Sequence, residues 1–160
     1  MRINGSKPSP ELKKLGYFVG TWITRGAIAP GPWGDGGKFS WKETTKWMTG
    51  RFFLVGHWNF KMPADLGGYG EEFFVIGFDT RQSVYTFDAF SSQGRHQIST
   101  GTCSGDAWTW TSDGFLDGRP VQQKMTMRIL SRTSYTLTFA VSMDGTTWLP
   151  FMQGKARKKK

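Results

Sequence analysis

The chain has 160 residues, the size of one domain and long enough to bury a core without metal or disulfide staples. Its single cysteine, Cys103, excludes an internal disulfide, and no apolar run reaches the roughly 18 residues that a membrane helix needs. The formal net charge is +9, but five of the positive charges fall within Lys155–Lys160, so the excess describes a basic end and weighs against a specific nucleic-acid surface.

Residues 1–10 carry no apolar stretch ahead of a cleavage site, which predicts a flexible start to a cytoplasmic protein. Ser9-Pro10-Glu11 reads as a helix start, and Leu12, Leu15 and Phe18 share one face. Gly16 and Gly20 limit that helix to one or two turns, enough to plug one end of a barrel. Strand-like runs follow at 21–28, 39–48, 52–61, 72–78 and 84–90, then at 97–103, 107–112, 121–130, 134–142 and 148–156. Turn chemistry separates them: Thr49-Gly50, Asp79 to Gln82, Ser104-Gly105, Asp117-Gly118 and Asp144-Gly145. In two of these turns, Asp79 and Asp144 suit carboxylates that accept backbone hydrogen bonds. With about ten strands, short connections and no intervening helices, the pattern predicts an all-β antiparallel meander. Closing it into a barrel would remove the edges of so many aromatic strands. Residues 157–160 show no apolar periodicity and predict a flexible tail, leaving one domain over 11–156.

The second and third runs carry the most information. Phe39, Trp41, Glu43, Thr45 and Trp47 share one face, and Ser40, Lys42, Thr44 and Lys46 share the other. In the next run Leu54, Gly56, Trp58 and Phe60 share a face, with Phe53, Val55, His57 and Asn59 opposite. A tight hairpin centred on Thr49-Gly50 pairs Met48 with Arg51. It sets Trp41 beside Trp58 and Glu43 opposite Gly56, and it turns His57 away from Glu43.

Several short motifs are similar to a known family. They are Leu15-Gly16-Tyr17-Phe18-Val19-Gly20-Thr21-Trp22, Trp47-Met48-Thr49-Gly50-Arg51-Phe52, Gly77-Phe78-Asp79 with Tyr85, Gly101 to Trp108, and Ser142 to Trp148. The Gly-x-Trp element is typical of lipocalins and their calycin relatives, and the whole set resembles the DUF1579 family. The resemblance implies a lipocalin-like β-barrel with a short N-terminal helix and supplies no catalytic set. A related group, the haem-binding nitrobindins, places a histidine ligand near the C-terminal strand. Here the last histidine is His96, so the comparison implies no haem, and no other cofactor is expected.

Glu43 is the leading buried-carboxylate candidate, with Arg128 or Lys124 as possible ion-pair partners and Gln123 as another inner polar group. His57 and His96 are widely spaced and, with one cysteine, form no metal-ligand pattern. Trp108, Trp110, Met125, Met127 and Phe139 add further inward rings and thioethers. The expected function is binding of a small hydrophobic or aromatic molecule in the lumen, with Trp41, Glu43, Trp58, Trp108 and Phe139 as ligand-binding residues. The alternatives are an enzyme using Glu43 as general acid or base, and a structural protein whose barrel is filled. Outward Phe53 and Val55 suggest a homodimer.

Overall fold

The structure is a computed structural model, and it describes residues 7–116 and 118–160. Residues 1–6 of the expected flexible start, and Asp117 of one expected turn, lie outside the described residues. A short helix, α1 (Leu12–Leu15), runs into a 3-10 turn at Gly16–Phe18. Ten strands follow: β1 (Gly20–Ile28), β2 (Gly37–Trp47), β3 (Leu54–Lys61), β4 (Tyr69–Asp79), β5 (Val84–Ser91), β6 (His96–Ser104), β7 (Ala107–Leu116), β8 (Arg119–Ser131), β9 (Ser134–Ser142) and β10 (Leu149–Lys158). Each strand pairs antiparallel with the next, and β10 returns to pair with β1, closing the barrel. The meander follows from connections too short to cross the sheet. No helix among the described residues is long and apolar enough to cross a membrane.

Period-two alternation decides which side chains fill the lumen. Phe39, Trp41, Glu43 and Thr45 of β2 are buried, while Lys42, Thr44 and Lys46 are exposed. The closing seam depends on a lack of side chains. Gly26 of β1 faces Gly154 of β10, and the Phe39 ring lies over both. A Cβ on Gly26 would meet that ring at 2.6 Å, and one on Gly154 would meet it at 2.8 Å.

The N-terminal segment plugs one end. Leu12, Leu15 and Phe18 are buried beneath the strands. Trp22 Nε1 donates to the Phe18 carbonyl at 3.0 Å, and Tyr85 Oη donates to the Glu11 carbonyl at 2.9 Å. Tyr17 Oη reaches the Ser131 and Ser134 carbonyls at 2.9 and 3.0 Å. These bonds tie the plug to three separate parts of the barrel, leaving the opposite end as the mouth.

Two expectations are corrected. The β2–β3 hairpin is two residues looser than a Thr49-Gly50 turn would make it. Met48 N–H donates to the Phe53 carbonyl at 2.9 Å, and Gly50 and Arg51 both take positive φ, 90° and 59°. The loop therefore spans Thr49 to Phe52, and Trp41 pairs with Phe60, Glu43 with Trp58, and Thr45 with Gly56. A shift of two keeps every side chain on its face, so Trp41 and Trp58 still meet, their ring centroids 5.6 Å apart. The end of the chain is the second correction. Arg157 and Lys158 belong to β10, paired with Ile23 and Trp22. Lys158 Nζ lies 5.3 Å from the Trp22 ring centroid, and Lys159 N–H donates to the Thr21 carbonyl at 2.8 Å. Backbone pairing needs no apolar periodicity, so a charged segment serves as well as an apolar one on this rim.

Candidate ligand-binding lumen

The lumen has two adjoining parts. Beside Glu43 lies a small chamber of about 30 Å³, bounded by Phe18 of the plug, Tyr135, Leu137 and Met127. Above it, toward the mouth, a wider chamber of about 270 Å³ is walled by Phe60, Met62, Phe139, Phe151 and Met152. Trp41, Trp58, Phe87, Trp110 and Met125 border both. The rings form a continuous belt. Trp58 packs on Phe74 at 4.8 Å, Phe74 stacks on Phe87 at 5.1 Å, and Phe87 meets Trp110 edge-on at 5.7 Å.

Glu43 sits below this belt, 5% exposed, between Trp22 of β1 and Trp58 of β3 in the sheet register. Trp58 Nε1 donates to Oε2 at 2.6 Å, and Thr45 Oγ1 donates to Oε1 at 3.0 Å. Burial pushes the Glu43 pKa up, and the two donors pull against that rise. Tyr135 lines the same small chamber, its phenol raised well above the ordinary value by burial and further by the Glu43 charge. The suggested cationic partners are elsewhere: Arg128 is exposed, and Lys124 lies 4.0 Å above the Trp148 ring. Gly56 leaves no space beside Glu43, because the Phe74 ring occupies the position of its absent Cβ, 2.0 Å away. The Trp41 indole N–H is buried and has no hydrogen-bond acceptor among the described residues.

Of the residues singled out from the sequence, Trp41, Glu43 and Trp58 come together, and Phe139 lines the outer chamber. Trp108 is corrected. It is buried at the plug end, 5.4 Å from Phe18 and 4.7 Å from Tyr85, and it borders neither chamber. Its neighbour Trp110, two residues nearer the mouth on the same face, takes the lining position.

Sequence reasoning named Gln123 as an inner polar group but missed the other polar groups of the mouth. Glu72 of β4 is buried in the wall, and Arg95 Nη2 donates to its Oε2 at 3.2 Å. Burial raises the Glu72 pKa, and the Arg95 charge and hydrogen bond oppose that rise. Gln97 Nε2 donates to Ser112 Oγ at 3.0 Å, and both line the outer chamber with Gln123. The available signal was parity: Glu72 alternates with the inward Phe74 and Ile76. His57 faces outward, 2.8 Å from Glu71, and burial raises the Cys103 thiol, which argues against a thiolate nucleophile.

Comparison with known proteins supports the fold. The chain is similar to the crystal structure of Rv2717c from M. tuberculosis, with a TM-score of 0.69 and 16% identity, over 96% of this chain and 100% of that one. A looser similarity, TM-score 0.49 and 16% identity, is to a de novo designed fluorescence-activating β-barrel, over 90% of this chain and 95% of that one. No curated protein matches. A model for a family described as a protein of unknown function, DUF1579, matches residues 7–158, nearly the whole barrel with its plug, and the chain belongs to that family.

Proposed function

We propose that this protein is a binding module that takes a small, largely apolar or aromatic molecule into its lipocalin-like barrel. The observation that carries this reading is the outer chamber of about 270 Å³, ringed by aromatic side chains at the end opposite the plug. Small-molecule sites commonly occupy about 300–1,000 Å³, so the guest is compact. The chamber also argues against a barrel filled by its own side chains. Glu43 is less suited to acid–base work, because the space beside it is about 30 Å³, room for roughly two waters. Its two oxygens are already engaged by Trp58 and Thr45. Titration with neutral 2-naphthalenemethanol, followed by tryptophan fluorescence, tests the reading. Saturable one-to-one quenching is expected, with loss of affinity in Phe139→Asp. A linear, non-saturating response would count against it.

A second reading concerns the outer surface. His57, Phe73, Phe90 and His96 form a row of rings across β3, β4, β5 and β6. His57 stacks on Phe73 at 4.3 Å, Phe90 stacks on His96 at 4.5 Å, and Phe73 faces Phe90 in the register. Phe73, Phe90 and Ile98 are 57%, 53% and 62% exposed, an unusual concentration for a free surface. The row is flanked by exposed Lys42 and Lys46 on β2 and by the carboxylates Glu71 and Asp88 within it. The face thus carries both signs of charge around its rings, as a self-complementary contact requires. We infer that this face joins two copies of the chain.

A further inference from the structure

Resting on the binding reading, we propose that the guest is an amphipathic anion, a flat apolar body bearing a carboxylate, and that Arg95 receives the carboxylate at the barrel mouth.

The outer chamber is chemically two-sided. Its polar groups occupy one arc of the barrel: Glu72 on β4, Arg95 just before β6, Gln97 on β6, Ser112 on β7 and Gln123 on β8. The facing arc, from β9 through β10 to β1, contributes Phe139, Phe151, Met152 and Ile28. A purely apolar guest would leave the remaining Arg95 donors unused, whereas an amphipathic guest lying across the chamber would use both arcs.

The sign of the polar end follows from Arg95. A guanidinium carries five N–H donors in a planar fork. Here one contact is made, to Glu72 Oε2, and the side chain is 60% exposed at the mouth. The remaining donors are available to a second oxyanion without breaking the first contact. Glu72 is in the reverse position. Its carboxyl is buried in the wall, and Arg95 is its ion-pair partner. A cationic guest would have to displace Arg95 and then reach a carboxyl with little exposed surface. Gln123 lines the same chamber and has an amide donor to offer a guest.

Three ligands of one shape test the proposal: 2-naphthoate, 2-naphthalenemethanol and 2-naphthylmethylammonium, each titrated into the full chain by calorimetry and tryptophan fluorescence. Charge-assisted hydrogen bonds are strong enough that naphthoate should bind about tenfold more tightly than the alcohol. In Arg95→Gln that advantage, read as the ratio of the two affinities in the same variant, should fall to about twofold or less. Glu72→Gln should move the opposite way and tighten naphthoate, since it frees the last guanidinium contact and removes a like charge. Equal affinities for naphthoate and the alcohol would overturn the anion assignment while leaving the binding reading standing. Tightest binding of the ammonium, or a naphthoate advantage that survives Arg95→Gln, would also overturn it. Failure of all three to bind would sink the binding reading and this proposal with it.

Discussion

Glu43 shows how one side chain couples the barrel to pH. Its carboxyl is enclosed by rings and met by donors from Trp58 and Thr45. Burial holds its folded-state pKa above the ordinary value, so the folded chain retains this proton where the unfolded chain has lost it. Stability from this group is therefore fullest at low pH and declines as pH rises through the folded pKa. Glutamine removes the titration while preserving the contacts. Its carbonyl accepts from Trp58, and its amide donates to the Thr45 hydroxyl. Glu43→Gln should raise the melting temperature relative to the native chain at pH 8 and give less advantage at pH 5. Glu72 shifts in the same direction, so the difference between native and variant profiles isolates Glu43. Parallel profiles across that range would contradict the assignment.

At the scale of elements, both ends of the chain hold the barrel closed. The plug is anchored by tyrosine and tryptophan hydrogen bonds, and β10 completes the ring against β1 through Lys158. Removing residues 157–160 deletes the pairs of Arg157 with Ile23 and Lys158 with Trp22, together with the cation over the Trp22 ring. Each lost backbone hydrogen bond is worth about 1 kcal/mol, giving a loss of about 2–3 kcal/mol. For a chain of this size that is a fall in melting temperature of about 5–10 °C, measurable by circular dichroism. An unchanged melting temperature would restore the solvated-tail reading. The same strands show how far local signals extend. The Thr49-Gly50 turn correctly marks a hairpin, but Arg51 in the left-handed region lengthens the loop and moves Glu43 from Gly56 to Trp58.

For the whole molecule, the inside and outside of one sheet have separate roles. Inner parity on β3 to β8 builds the ring belt and the polar arc. Outer parity on the same strands leaves Phe73, Phe90 and Ile98 in water. If that face joins two copies, light scattering should return about twice 18.1 kDa, and Phe73→Glu combined with Phe90→Glu should return the single-chain mass without unfolding. A native mass near 18.1 kDa at high concentration would refute the dimer. The lumen depends on closure: with ten strands the barrel encloses more room than a side chain from each strand can fill.

The number of strands, their order around the sheet and the faces of β2, β3 and β8 were legible in the sequence. All three depend on local rules, the period of two and the chemistry of turns. Glu43 was legible for the same reason, as a carboxylate on a face otherwise made of rings. Height along the barrel axis was not legible. Trp108 and Trp110 have the same parity and chemistry, and only their distance from the plug puts one in the packed end and the other beside the cavity. The meeting of Glu72 with Arg95, 23 residues apart, depends on the register of β4 with β5 and the path of the β5–β6 turn. The size of the lumen depends on every register together. These features come from closing ten strands into one ring, a condition that no single stretch of sequence can satisfy alone.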